Sequence, residues 1–266
     1  IFFDKTYLTS GIKNVLDVVE KRLKGKGGDP VIQLQTPFGG GKTHTLIALY
    51  HKSKEWDAKS VVIVGTVLSK NDSLWGILEL QLTGEIKKFK DNSAPGRETI
   101  RNLLEKHQPV LILIDELLEY MIKAATVKVG DSNLADQTIA FIQELTEVAK
   151  TLDKVTVVFS LPTGSLERFG ELGEKMFHQI KKVSGRVEKI YEPVHENEVS
   201  KVIRQRLFSS INDEEAYNTI KETITYFEKE NILPEGSELT EYRDRFVNSF
   251  PFLPEVIDIL YHKWGS

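Results

Sequence analysis

A glycine-rich segment near the start of the chain has the residue types that hold a phosphate group. It reads Thr36-Pro37-Phe38-Gly39-Gly40-Gly41-Lys42-Thr43 and lies between a short apolar run and a helical pattern. Glycines allow backbone N–H groups to point at phosphate oxygens, and the first turn of a helix adds a favourable field. Lys42 has the reach to contact the β- and γ-phosphates, and the Thr43 hydroxyl is a ligand for Mg²⁺. The segment therefore predicts a nucleotide-phosphate site centred on Lys42 and Thr43.

The segment departs from the usual loop at its start. Thr36 stands where the pattern G-x4-GK-[ST] has its first glycine. The departure is harmless if Thr36 only turns the chain, and it matters if the backbone passes close to the β-phosphate there. The alternative is a glycine-rich turn that happens to precede Lys42, which the strand before it and the helix after it disfavour.

An acidic pair is the expected partner of that loop. Asp115 and Glu116 directly follow the apolar run 111–114. Ligands of open α/β sheets bind at the carboxyl ends of the strands, so these carboxylates are delivered to the binding edge. Asp115 is predicted to support Mg²⁺, and Glu116 is predicted to activate water against the γ-phosphate. The alternative is a solvated acidic pair at the start of a helix.

Polar residues at the ends of two other predicted strands are candidates for the same site. Ser160 ends the fourth strand, which lies next to the third if the strand order is the one common in AAA+ proteins. We predict that Ser160, or less favourably Thr163, contacts the γ-phosphate or the attacking water; a plain turn at the strand end is the alternative. Thr66 follows the second strand and is either a hydrogen-bond partner of Glu116 or a turn residue.

Arg186 precedes the fifth predicted strand within a basic stretch. In ring-forming ATPases an arginine in this region reaches the neighbouring subunit's nucleotide and stabilises charge in the transition state. A surface arginine is an equally good interpretation. The predicted catalytic residues are therefore Glu116, Ser160 and Arg186.

Five apolar runs alternate with helical patterns over the first part of the chain. The runs cover 31–35, 61–64, 110–114, 155–159 and 187–191, and helices are predicted at about 12–23, 42–54, 73–89, 97–107 and 135–152. Strands that are apolar throughout and separated by helices indicate a parallel sheet covered on both faces. The predicted fold is an α/β, AAA+-like P-loop NTPase.

The pattern changes to helices alone after Pro193. Four are predicted, at about 195–208, 214–229, 239–248 and 254–264. We predict a P-loop ATPase core over residues 1–193 and a small helical lid domain over residues 194–266.

The totals restrict the class of protein. The chain has 266 residues, of which 40% are hydrophobic and 28% charged, and its net charge is -4. Such a charge offers no overall attraction to nucleic acid or to an anionic membrane. The chain has no cysteine, which excludes disulfides and thiolate chemistry and fits a cytoplasmic protein. Its first residue is isoleucine rather than methionine, which indicates a piece of a longer protein.

Several segments together resemble a known family. They are Phe2-Phe3, Thr6-Tyr7-Leu8-Thr9, the whole stretch from Gly28 through the glycine-rich loop to His44, Leu74-Trp75-Gly76, Leu113 to Leu117, Lys128 to Ser132, Ser160-Leu161-Pro162, Gly185 to Lys189 and Phe250-Pro251-Phe252. This group of predicted AAA+-type ATPases is catalogued as a domain of unknown function in large bacterial and archaeal proteins. The family's loop looks the same at Thr36. We include Pro37 to His44 among the residues predicted to bind nucleotide.

The resemblance implies a wider role. Members are similar in being encoded near DNA methyltransferases and helicase-like genes in anti-phage clusters, which implies DNA modification or defence. From the residues we predict Mg²⁺-dependent ATP hydrolysis, since no Asn-Lys-x-Asp guanine-reading signature is present. We expect a motor or switch of a larger assembly, with a homo-oligomer, DNA or DNA-modification proteins as partners and no membrane. The alternatives are a slow, nucleotide-gated scaffold and, less favoured, a P-loop kinase.

Overall fold

The computed structural model describes residues 2–36, 40–161, 170–184, 189–195, 198–234 and 238–264, with only the backbone at 183–184 and 261–264. The chain forms two compact units. One is Gly11–Pro193, and the other joins Ile1–Ser10 to Val194–Ser266.

Helices and strands alternate along most of the α/β unit, and helices alone follow it. In chain order, a 3-10 helix, Phe3–Lys5, is followed by α1 (Ser10–Leu23), β1 (Val31–Leu34), α2 (Lys42–Ser53), β2 (Lys59–Val64), α3 (Leu74–Thr83), α4 (Arg97–Glu105), β3 (Val110–Asp115), α5 (Leu117–Ala124), β4 (Lys128–Val129), β5 (Ser132–Asn133), α6 (Leu134–Thr151), β6 (Val155–Ser160), α7 (Gly170–Ser184), β7 (Lys189–Tyr191), α8 (Val199–Leu207), α9 (Asp213–Glu230), α10 (Leu239–Ser249) and α11 (Pro254–Trp264).

A five-stranded sheet forms the centre of the α/β unit. Its order is β2-β3-β6-β1-β7, and every neighbouring pair is parallel. The order places β6 between β3 and β1, as expected for an AAA+-like sheet. The structure confirms the predicted α/β fold, a parallel sheet flanked by helices and followed by a small helical unit.

The central strands β1, β3 and β6 are buried on both faces because their side chains alternate between two hydrophobic layers. Along β3, Val110, Ile112 and Ile114 pack into a layer with α3 to α6, whereas Leu111 and Leu113 pack into a second layer with α1 and α2. Successive side chains of a strand point to opposite faces, so a strand covered on both sides is expected to be apolar at most positions. This requirement produces the continuous apolar runs in the sequence.

Three features of the α/β unit differ from the sequence prediction. The helix predicted over 73–89 ends at Thr83, because Gly84 adopts a left-handed conformation with φ of 85°. Helices α5 and α7 and the short β4–β5 hairpin were not predicted. Helix α5 has only eight residues and begins almost directly after β3, so its apolar residues continue the pattern of the strand.

The helical unit contains α8 to α11 and has its own small core of Ile220, Ile224, Tyr242 and Phe246. The predicted boundary assigns residues 1–10 to the α/β core, whereas the structure groups them with this unit.

Hydrogen bonds within the helical unit hold that first segment. The Ser10 backbone N–H donates to Glu198 Oε1 at 2.8 Å, and the Gln205 Nε2 donates to the Asp4 carbonyl at 3.2 Å.

None of the helices in the described part of the chain combines the length and the apolar composition that a membrane span requires.

Candidate functional site

The carboxyl ends of three neighbouring strands meet at one edge of the sheet. Leu34, the last residue of β1, is in register with Ser160, the last residue of β6. On the other side of β6, Ile114 of β3 pairs with Phe159, so Asp115 comes next to Ser160. The parallel order therefore brings the glycine-rich loop, the acidic pair and the predicted polar strand end together.

The described part of the glycine-rich loop leads directly into α2. Gly41 precedes the helix with φ of 96°, a left-handed conformation that glycine adopts without steric cost. The Thr45 hydroxyl donates to the Gly41 carbonyl at 2.7 Å. The start of an α-helix is in general suited to binding an anion, because its N–H groups point away from the helix.

Thr36, the unusual residue of the loop, is buried at 1% exposure. Its hydroxyl oxygen accepts a hydrogen bond of 3.2 Å from Lys42 Nζ. Thr36 therefore contacts the lysine of the loop, a role that the sequence did not predict.

The loop and the acidic pair are joined by one short hydrogen bond. Thr43 Oγ1 donates to Asp115 Oδ2 at 2.7 Å, across 72 positions of sequence. Asp115 is 6% exposed, while Thr43 is exposed at the start of α2. The hydroxyl and carboxylate oxygens are hard donors of the kind that Mg²⁺ prefers.

The second oxygen of Asp115 is held from the neighbouring strand. The Ser160 hydroxyl donates a short hydrogen bond to Asp115 Oδ1, and the Glu116 backbone N–H donates to the same oxygen at 3.1 Å. Ser160 is 3% exposed. In this structure Ser160 therefore orients Asp115, and its contact with phosphate or water stays a prediction.

Glu116 lies at the beginning of α5 with a strained backbone. Its φ of 52° and ψ of 36° are left-handed, which is uncommon for a residue with a side chain. The Glu116 side chain is exposed, and its Oε2 accepts a hydrogen bond of 2.6 Å from the Thr66 hydroxyl. The structure shows both interpretations of Thr66, which lies in the turn after β2 and also donates this hydrogen bond to Glu116.

Gly65 allows this close approach of β2 to Glu116. A Cβ atom at Gly65 would lie 2.1 Å from the Glu116 carbonyl oxygen, so any side chain would displace the acidic residue. The Gly65 N–H also donates to the Asp115 carbonyl at 2.9 Å. Sequence reasoning missed Gly65, although a glycine directly after an apolar strand is a signal for such an approach.

The other predicted site residues are placed as follows. Gly40 and His44 are half-buried on either side of the start of α2. Pro37, Phe38, Gly39, Thr163 and Arg186 lie outside the described residues. Among the described residues, no group of three or more histidine, cysteine, aspartate or glutamate side chains is arranged to hold a metal ion.

The strand order, and the glycine-rich loop that opens a helix, define an α/β fold of the P-loop class. Residues 1–72 and 68–199 match the DUF499 N-terminal domain, and residues 194–263 match the DUF499 second domain. The chain belongs to the DUF499 family. This finding confirms the expected membership in a family described as a domain of unknown function.

Other comparisons add little. No curated protein matches the chain. A chain in the structure of Drosophila ORC bound to AT-rich DNA and Cdc6 is 12% identical, with 96% of this chain and 86% of that chain covered and a TM-score of 0.34. The fold assignment rests on the strand order of this chain and not on that likeness.

Proposed function

We propose that this chain binds ATP and hydrolyses it with the help of Mg²⁺. The hydrogen bond of 2.7 Å between Thr43 Oγ1 and Asp115 Oδ2 is the observation that carries the proposal. It joins the residue after the loop lysine to the acidic residue that ends β3. These two residue types meet in the same way around the metal ion of P-loop NTPases.

The donor set fits Mg²⁺. Thr43 Oγ1 would bind the ion directly, and Asp115 would support it, either as a ligand or by accepting hydrogen bonds from its bound water. When bound, Mg²⁺ neutralises charge on the β- and γ-phosphate oxygens. Ser160 and the Glu116 N–H orient the Asp115 carboxylate for this role, because both donate to its Oδ1.

Lys42 supplies the positive charge of the loop. It begins α2, where its ammonium lies 3.2 Å from the Thr36 hydroxyl. We propose that the ammonium turns to the β- and γ-phosphates when nucleotide binds, since a phosphate oxygen is a stronger acceptor than a hydroxyl.

Glu116 is the proposed base. Its Oε2 is held by Thr66, and its Oε1 accepts no hydrogen bond within the part of the chain that the structure describes. Oε1 is therefore available to accept a proton from water. The water oxygen then bonds to the γ-phosphorus as the bond between that phosphorus and its bridging oxygen breaks, and ADP leaves.

A substitution of Glu116 tests this proposal. Glu116→Gln keeps the shape of the side chain but removes the base, so ATP affinity should be retained while hydrolysis slows by roughly 100-fold or more. Glu105→Gln, an exposed residue at the end of α4, is the matched control and should hydrolyse at the parent rate. Hydrolysis by Glu116→Gln at the parent rate would refute the assignment.

The turnover of the parent protein separates the alternatives. We propose a motor or switch within a larger assembly that acts on DNA, a role supported by the resemblance of the family and not by a contact in this chain. Fast turnover that DNA stimulates is expected for a motor. Slow turnover that DNA leaves unchanged would favour a nucleotide-gated scaffold, and turnover only with an acceptor molecule would favour a kinase.

A further inference from the structure

Lys123 on α5 holds the segment that follows β2. Its Nζ donates to three backbone carbonyls, those of Gly65 at 3.1 Å, Thr66 at 3.1 Å and Leu68 at 2.7 Å. An ammonium group has three N–H donors, so this arrangement uses all of them. Lys123 is half-buried and forms no ion pair with a carboxylate among the described residues. Its positive charge is therefore directed at the backbone of this segment.

The same helix holds the far end of the segment. The Tyr120 hydroxyl donates to the Asp72 carbonyl at 2.5 Å, and Tyr120 is fully buried. Residues three apart lie on one face of a helix, so Tyr120 and Lys123 present a single surface to residues 65–72. The segment is attached to α5 at both ends.

The attached segment in turn contacts the proposed base. Thr66, whose carbonyl Lys123 binds, places its hydroxyl 2.6 Å from Glu116 Oε2. Gly65, whose carbonyl Lys123 also binds, lies against the Glu116 backbone. Glu116 itself immediately precedes α5, the helix that carries Lys123. The contacts form a closed path from Lys123 through Gly65 and Thr66 to Glu116.

We propose that Lys123 is a positioning residue for the hydrolysis of ATP. It fixes the backbone at Gly65 and Thr66, so that the Thr66 hydroxyl holds one carboxylate oxygen of Glu116 and leaves the other directed at water. Lys123 touches neither the nucleotide nor the water. This role rests on the proposed function.

Lys123→Met removes the donors and keeps most of the apolar stem. We expect unchanged ATP affinity and a fall in kcat of about tenfold or more, because small displacements of a catalytic group reduce rates strongly. Thr66→Val should cause a similar fall. Both substitutions release the Glu116 carboxylate, so the kcat of the double variant should be no lower than that of the slower single variant.

A control and a conservative variant complete the experiment. Lys150→Met, on the last turn of α6 with its side chain 37% exposed, should turn over as the parent does. Lys123→Arg keeps the charge and several donors and should retain more turnover than Lys123→Met. Without nucleotide, amide hydrogen exchange in Lys123→Met should rise over residues 65–72 and stay unchanged in β6.

The outcomes separate this role from the proposed function. A parent protein without turnover overturns both. A parent with turnover that Lys123→Met does not reduce overturns the role of Lys123 alone. Falls in kcat that multiply in the double variant, or a loss of ATP affinity in Lys123→Met, also overturn it, because they indicate a general structural defect.

Discussion

Arg22 is buried at the edge of the sheet opposite the site, where its removal should destabilise the α/β unit. Its exposure is 9%. The guanidinium donates to the carbonyls of Ala149 at 2.7 Å, Leu152 at 2.6 Å and Val155 at 3.1 Å. Ala149 is near the end of α6, Leu152 directly follows that helix, and Val155 is the first residue of β6, the strand that ends in Ser160. Arg22 therefore fixes the turn that starts a central strand.

The size of the effect follows from these contacts. Arg22→Met keeps much of the packing of the stem but leaves the three carbonyls without this donor, at about 1–3 kcal/mol each. In the parent, burial of the guanidinium charge is itself unfavourable and offsets part of this loss. The same burial lowers the pKa of Arg22, although the nearby Asp153 and Asp29 raise it. We expect a net loss of about 3 kcal/mol in the free energy of unfolding.

Thermal and urea unfolding of the variant measure this loss. For a unit of this size, about 3 kcal/mol corresponds to a fall in Tm of about 6–12 °C. Lys21→Met is the control. Within the described part of the chain the Lys21 side chain forms only an exposed pair with Asp17 on the same helix, so its loss should change Tm little. Arg22→Lys should fall between parent and Met, because an ammonium cannot reproduce the fork of the guanidinium. An Arg22→Met variant that unfolds within about 1 °C of the parent would refute the reasoning.

Three further predictions concern nucleotide binding, pH and assembly. Lys42→Ala should abolish ATP binding in titrations with ATP and Mg²⁺, because it removes the charge that compensates the phosphates; unchanged affinity would move the site elsewhere. Glu79 is 4% exposed and accepts hydrogen bonds from the backbone N–H groups of residues 87–89. Burial raises the pKa of Glu79, but these hydrogen bonds outweigh it and leave the pKa below its usual 4.5. The stabilisation by Glu79 is thus present above about pH 4.5 and lost as the pH falls further. Glu79→Gln should therefore lower the free energy of unfolding at pH 7 and flatten its decline between about pH 5 and about pH 3. Urea unfolding at several pH values measures this, and a decline as steep as that of the parent would contradict it. If Arg186 acts on a neighbouring subunit's nucleotide, mixing inactive Arg186→Ala and Lys42→Ala subunits should restore part of the ATPase activity, and no recovery in mixtures shown to co-assemble would count against that role.

The sequence alone predicted the elements whose residues carry their own pattern. Strands β3 and β6 are buried on both faces, so most of their positions before the polar residue that ends each strand are apolar, and the runs stand out in the sequence. The glycine-rich loop was found because its glycines, Lys42 and Thr43 are needed at fixed spacing. Asp115 and Glu116 were found because they follow a buried strand. These signals are local, so one segment is enough to show them.

Only the tertiary structure decided how distant segments meet. The bond from Thr43 to Asp115, the orientation of Asp115 by Ser160 and the contact of Thr66 with Glu116 all join residues more than 40 positions apart. Such contacts depend on the strand order and on positions accurate to a fraction of an ångström. The periodic pattern of apolar residues in a sequence gives neither the strand order nor these positions.

The residues that sequence reasoning missed show the same limit. Lys123 lies on a helix too short and too close to β3 to be recognised, and its partners are backbone carbonyls that any residue type supplies. The partners of Arg22 are likewise backbone carbonyls, among them those of Ala149 at the end of α6 and of Leu152 directly after it. A side chain that binds backbone leaves no mark on the sequence of its partner, so the fold had to bring the two together before the contact could be seen.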